Sequence, residues 1–566
     1  MADIAEGLIA RAGAWLDQDP DPETRAELEA LLAGAREGDA EAETELHDRF
    51  DSRLDFGTAG LRGEIAAGPN RMNRVLVSQA AAGLAAFLVE RAADGETPSA
   101  VIGYDGRRNS RVFAEDSAAI LAGAGVRAIL LPRLLPTPVL AFAVRHLGAS
   151  AGVMVTASHN PPNDNGYKVY LGGDDHGSQI VSPVDREIAD HILHVAAGTQ
   201  VPLLPRGEFE TADESVVDAY VAATAAVALP PRAQPVTVYT AMHGVGWEVT
   251  RRVLQVAGFD EPAVVAEQID PDPAFPTVAF PNPEEPGAMD LALTRGREVG
   301  ADLVIANDPD ADRLAIAIPD PADASGYRKL TGNEIGQLLG WRQAELAAAD
   351  ATGDRGADGT LACSIVSSPA LGVIAREYGL DFRETLTGFK WISRAPDLVF
   401  GYEEALGYLV NPGTVRDKDG ISAAVAFLSL AAELAADGRT VADRLDELAD
   451  RFGAFASGQV SLRFTDLSRI GALMARLRAD PPARIGEVRV EQIDDFSDGF
   501  GHLPPSDVLR IRLEDGSRVM VRPSGTEPKL KAYLDASSES GDAAERRATA
   551  AARVAALEQG MRALLG

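Results

Sequence analysis

Cysteine occurs once in the 566 residues, as Cys363, so no intrachain disulfide can form and the chain suits a reducing compartment. Aromatic residues are sparse at 6%, and the most apolar stretch, ISAAVAFLSLAA at 421–432, is too short to span a bilayer. The N-terminal MADIAEGLIARAGAWLDQD is acidic and amphipathic, with no basic lead into an apolar core, so no signal peptide is expected. These absences predict a cytoplasmic protein without a membrane partner. Positive charge is short as well: a net −32 argues against nucleic acid or anionic membrane as a partner. Small anions are a separate matter, because charges beyond about 8 Å are screened at physiological salt and a local basic cluster decides. Lysine is the scarcer basic residue, at six of 53: Lys168, Lys329, Lys390, Lys418, Lys529 and Lys531. An ammonium can lose its proton at accessible pH and a guanidinium cannot, so each lysine marks a place to look for chemistry.

What is present is length and a recurring pattern. A chain of 59.6 kDa exceeds one hydrophobic core, and several domains are expected. Residues 1–50 are rich in Ala, Glu and Leu and read as two helices broken at DPDPET, 19–24. Six times thereafter a short apolar run ends in a polar loop: AVIGYDGR (100–107), AGVMVTASHN (151–160), PVTVYTAMHGVG (235–246), DLVIANDPDADR (302–313), LACSIVSSPALG (361–372) and DLVFGYEEALGY (397–408). Helical Ala/Leu-rich stretches separate them, which predicts parallel α/β sheets with ligand loops at the strands' carboxyl ends. After about residue 453, QVSLRF, GEVRVEQI, VLRIRLEDGSRVMVRPSG and LKAYLD alternate like antiparallel strands. The reading is three α/β domains, 1–205, 206–323 and 324–452, followed by an α+β domain over 453–566.

Six loops are candidates to carry the chemistry. NDPDADR at 307–313 sets Asp308, Asp310 and Asp312 on alternate residues, so an extended loop turns three carboxylates toward one hard cation. It is not an EF-hand, since Arg313 stands where Gly is required and Pro319 where Glu is required. Few ligands on a short loop suit Mg²⁺. RPSGTEPKLKAY at 522–533 gathers Arg522, Ser524, Gly525, Thr526, Lys529 and Lys531, a donor-rich turn suited to an anion, though not a Walker P-loop. Glu403 and Glu404 in GYEEALGY can accept hydrogen bonds from sugar hydroxyls. FGTAGLRG at 56–63 brings Arg62 on a glycine-rich turn, and LTGFKWI at 386–392 brings Lys390 beside two aromatics. TASHNPPNDNGYK at 156–168 presents Ser158, outside any GxSxG elbow. A serine hydroxyl needs a base or a metal to react: His159 and Lys168 supply the first and the aspartate loop the second, which points to phosphoryl transfer.

TASHNPPNDNGYK, NDPDADR, GYEEALGY and RPSGTEPKLKAY, in this order along the chain, resemble the α-D-phosphohexomutases, the family of phosphoglucomutases and phosphomannomutases, and the resemblance spans roughly 50–535. The resemblance implies four domains around a central active-site cleft, a phosphorylated Ser158, and Mg²⁺ held by Asp308, Asp310 and Asp312 with the Ser158 phosphate. It implies that GYEEALGY reads the sugar, and that Arg522, Ser524, Gly525 and Thr526 clamp the phosphate not being transferred. Arg62, His159, Lys168 and Arg313 fall at matching active-site positions, and Lys390 at a substrate-contacting lysine. Phosphoserine would give its phosphoryl group to a hexose monophosphate, and the resulting 1,6-bisphosphate, the expected intermediate and activator, would turn and return the other phosphate. Lys168, its pKa lowered by nearby cations and burial, is the expected acid or base, ahead of His159 and His243. Where many members carry Ser after the first sugar-reading Glu, this chain has Ala405. EEALGY, TAMHGVG, LTGFKWI and VRDKDG are closer to a branch that includes phosphopentomutases and glucose-1,6-bisphosphate synthases. Glucose phosphate is the first expectation, mannose or pentose phosphates the alternatives, in a monomer or dimer. A serine phosphatase and a non-catalytic sugar-phosphate sensor are the rival readings.

Overall fold

The computed structural model describes residues 2–350, 358–464, 466, 468–524 and 529–566. They form two compact units: Met1–Lys329 with Asn411–Ser429, and Leu330–Val410 with Leu430–Gly566. Among the described residues no single helix is long and apolar enough to cross a membrane.

The first unit opens with three helices, Ala2–Gln18, Pro22–Arg36 and Ala40–Phe50, one more than the sequence reading expects. The DPDPET break starts the second, with Asp21 as N-cap accepting from Glu23 N and Pro22 at the first helical position. The extra break falls at Gly38, whose left-handed φ of 82° ends the second helix just before Asp39 caps the third. A seven-stranded sheet follows, ordered Leu61–Glu64, Asp164–Leu171, Ala151–Val155, Ser99–Tyr104, Arg127–Leu130 and Glu210–Thr211, with Ser178–Gln179 on the side of Asp164–Leu171. Ala151–Val155 and Ser99–Tyr104 pair in parallel, as their apolar runs predict. Their side chains and the helix Arg74–Arg91 build the main core around Ile102, Val153, Val155 and Leu84. A second sheet orders Tyr327–Lys329, Leu314–Pro319, Leu303–Asn307, Thr237–Thr240 and Ala263–Val264, with Leu303–Asn307 and Thr237–Thr240 again parallel.

The second unit has a four-stranded sheet, Asp381–Thr385, Thr360–Ser364, Leu398–Glu403 and Gly407–Leu409, with a parallel core. Its six-stranded sheet is antiparallel throughout: Ala454–Arg463, Lys529–Ser538, Arg518–Pro523, Leu509–Leu513, Val488–Asp495 and Arg484–Ile485. Buried charge ties these two sheets together. Glu384 accepts from Arg518 Nη1 at 2.8 Å and Arg510 Nη1 at 3.2 Å. Asp535 takes Arg518 Nε at 2.9 Å, and Asp494 takes Arg510 Nε at 2.8 Å. The architecture is thus that of mixed α/β sheets with an antiparallel C-terminal domain.

Candidate active site

Ser158 follows the strand Ala151–Val155 and is buried, with φ in the left-handed region at 51°. That conformation costs a serine about 1–2 kcal/mol, so the surroundings must enforce it. Thr156 Oγ1 accepts from Ser158 N at 2.9 Å. The guanidinium of Arg107 donates to the carbonyls of Ser158 and Asn160, both at 2.6 Å, and to those of Pro161 at 2.8 Å and Asp164 at 3.1 Å. One buried arginine therefore fixes the backbone of the whole loop. Ser158 Oγ donates to Asp308 Oδ2 at 2.8 Å and lies 3.0 Å from His159 Nδ1.

Asp308, Asp310 and Asp312 leave the end of Leu303–Asn307, with Ala311 between the last two at φ 55°. Each offers a ligand oxygen within 4.8 Å of the others', and all three residues are buried. Burial pushes the Asp308 carboxyl well above its ordinary value, and the charges of Asp310 and Asp312 push the same way. For Asp312 the burial effect is overcome by Lys168, Lys418 and Arg313, which hold it below its ordinary value. Asp310 accepts from Lys168 Nζ at 2.8 Å and Thr137 Oγ1 at 2.7 Å, while Asp312 accepts from Lys168 Nζ at 2.9 Å. Asp310 Oδ1 and Asp312 Oδ1 are buried without a hydrogen-bond partner. Buried carboxylate oxygens without donors are costly, and a hard cation satisfies both at once, so the residue set fits a divalent metal.

The acid–base groups differ from the sequence expectation. Burial would lower the pKa of Lys168, but Asp310 and Asp312 outweigh it, and the ammonium holds its proton more firmly than usual. The cations expected to depress it act more weakly than two carboxylates in contact. His159 is the group shifted down: burial, then Arg313 and Arg62, keep its imidazole neutral. Arg62 lies on Leu61–Glu64, antiparallel to the strand of Lys168, and donates to Asn160 Oδ1 at 3.3 Å. Gly60, at φ 77°, makes that approach possible, since a Cβ there would lie 1.8 Å from Tyr167 O. His243 is turned to Thr277 Oγ1, 2.8 Å from its Nε2. Ser158, His159, Lys168, Arg62, Arg313 and the three aspartates are thus residues of one unit.

The remaining sequence candidates belong to the second unit. Glu403 ends the strand Leu398–Glu403 and is half-buried. Glu404 Oε2 accepts from Ser364 Oγ at 3.1 Å and Ser367 Oγ at 3.0 Å. Lys390 lies on the short helix Phe389–Ile392. Arg522 and Lys531 face each other across the paired strands Arg518–Pro523 and Lys529–Ser538. Ser524 N donates to Lys529 O at 2.8 Å. Gly525 and Thr526 lie outside the described residues.

Sequence reasoning missed three groups. Arg107 sits at the polar end of AVIGYDGR, where only its contacts show that it clamps the serine loop. Thr137 starts a helix far from the aspartate loop in sequence, and its N also donates to Asp310 O at 3.0 Å. Lys418, in VRDKDG, lies with its Nζ 3.4 Å from Asp312 Oδ2. The rarity of lysine points to this residue, but not to its partner.

The chain matches the family descriptions Phosphoglucomutase/phosphomannomutase alpha/beta/alpha domain I over 53–198, domain II over 218–321 and domain III over 337–452, and the C-terminal domain over 440–553. A Haemophilus influenzae protein named "Probable phosphomannomutase" is 55% identical over 84% of this chain and 95% of its own length. The phosphoribomutase of Saccharomyces cerevisiae is 35% identical over 92% of this chain and 91% of its own. A crystal structure of a phosphoglucomutase/phosphomannomutase family protein from Burkholderia thailandensis shares the fold, with a TM-score of 0.69 at 19% identity over 91% of this chain and 97% of that one. The chain belongs to the phosphoglucomutase/phosphomannomutase family of α-D-phosphohexomutases and is an isomerase, an intramolecular phosphotransferase.

Proposed function

We propose that the enzyme moves a phosphoryl group between C1 and C6 of a hexose phosphate through a phosphorylated Ser158 and a sugar 1,6-bisphosphate. The observation that carries this reading is Ser158 Oγ, 2.8 Å from Asp308, beside a buried carboxylate triplet with two unpartnered oxygens. Asp308, Asp310 and Asp312 would hold Mg²⁺, which when bound supplies countercharge to the phosphoryl group. The protein's own residues do the rest. Arg107 fixes the serine loop, and Arg62 and Arg313 offset phosphate charge. His159, neutral, accepts a proton, and Lys168, firmly protonated, donates one. Glu403 reads the sugar hydroxyls, with Glu404 oriented by its serines, and Lys390 contacts the substrate. Arg522, Ser524, Gly525, Thr526 and Lys531 hold the phosphate that is not transferred. The domain limits 1–205, 206–323, 324–452 and 453–566, and a cytoplasmic location, belong to the same reading.

Glucose phosphate is the preferred substrate in this proposal. Mannose phosphate is the second reading, favoured by the name of the 55% identical relative. A coupled assay with glucose 1-phosphate, mannose 1-phosphate and ribose 1-phosphate, run with Mg²⁺ and a trace of sugar bisphosphate, separates them. Turnover of none of the three would overturn the mutase proposal. Intact-protein mass is expected to show one phosphoryl group, mapped to Ser158.

A further inference from the structure

The segment 411–429 belongs to the first unit although the chain on both sides of it belongs to the second. Within it, Lys418 Nζ lies 3.4 Å from Asp312 Oδ2 and 3.6 Å from Asp417 Oδ1. Its neighbours are anchored on both sides. Asp417 accepts from Tyr170 OH at 2.9 Å, two residues along the strand from Lys168. Asp419 accepts from Tyr220 OH at 3.0 Å and from the backbone N–H of Ile421 and Ser422, opening the helix Gly420–Ala436. Gly420 N donates to Ala311 O at 3.2 Å, inside the aspartate loop. A Cβ at Gly420 would lie 2.2 Å from Arg313 O, so only glycine lets the two segments meet this closely. Lys418 is therefore a lysine pinned against a ligand carboxylate.

We propose that Lys418 is a positioning residue for the aspartate loop, a fixed countercharge that keeps the triplet assembled without metal and weakens its grip on the divalent ion. This rests on the reading of Asp308, Asp310 and Asp312 as the metal site. Three carboxylates within 4.8 Å repel one another, and a resident cation offsets that repulsion. The same cation repels an incoming divalent ion. A merely structural strap would act in the other direction, since loosening it would spoil the ligand geometry and weaken metal binding.

The test is titration of the metal-free full-length enzyme with Mn²⁺ alone, by calorimetry or by the loss of the free-ion paramagnetic signal. Lys418→Met is expected to bind Mn²⁺ about tenfold more tightly than wild type, while Lys418→Arg stays near wild type. Lys418→Gln, which keeps a polar end, serves as the second neutral variant if the methionine variant does not fold. Unchanged or weaker binding in the neutral variants, with wild type binding normally, would overturn the role given to Lys418 and leave the metal site standing. Wild-type protein that binds no Mn²⁺ would overturn the metal site and this inference together.

Discussion

Two buried clusters of charge, one in each unit, use the same side chains to different ends. In the second unit Arg510 and Arg518 share Glu384, Asp494 and Asp535 close the row, and none of these five contributes a buried polar atom without a partner. In the first unit Asp308, Asp310 and Asp312 face Lys168 and Lys418, yet two carboxylate oxygens have no donor and Asp308 is held far from its ordinary pKa. A completed ionic cluster fixes a structure, and an incomplete one is built to receive something. The backbone repeats the contrast, since Ser158 and Ala311 hold left-handed φ angles beside the incomplete cluster.

The largest effect should come from Ser158→Ala. The substitution should lower mutase turnover by a factor of about 10³ or more while leaving the urea midpoint near wild type. Near-full activity in a coupled assay would remove the serine from the mechanism. Arg518→Met tests the other cluster. It leaves Glu384 and Asp535 without their shared cation, and should cost about 3–5 kcal/mol in chemical denaturation. A loss below about 1 kcal/mol would end the claim that this cluster is structural.

Asp308→Asn sharpens the contrast, because it removes one of three repelling carboxylates. In EDTA the variant should be more stable than wild type by about 1 kcal/mol in chemical denaturation, and saturating Mg²⁺ should reverse the order. A pH series tests Asp419, whose carboxyl burial raises to about 6. From about pH 4 to 6 the folded protein keeps this proton while the unfolded chain loses it, so Asp419 makes stability fall as pH rises through that window. Asp419→Asn should flatten that slope in a pH series of denaturation curves, and an unchanged slope would count against it.

The parallel strands and the alternating aspartates were legible because both are short-range patterns, of apolar runs and of residue spacing. Asp308, Asp310 and Asp312 sit on one short loop, so a single loop conformation decides whether they converge. Lys418 was legible only as a rare lysine, since its partner Asp312 lies far away in sequence and no local pattern links them. The proton affinity of Lys168 is hidden from the sequence for the same reason. Cationic neighbours were expected from the motifs around it, whereas the carboxylates that outweigh them come from another sheet. Glu404 shows the same limit, its serines coming from the run LACSIVSS on a neighbouring strand and the loop after it.

The first unit is not one stretch of chain. A gene fragment ending at residue 329 would encode all three aspartates but omit Lys418, and would leave the Tyr170 and Tyr220 hydroxyls without Asp417 and Asp419. Truncations, fusions and split versions of this enzyme must therefore extend through residue 429, because its two compact units are interleaved in the gene.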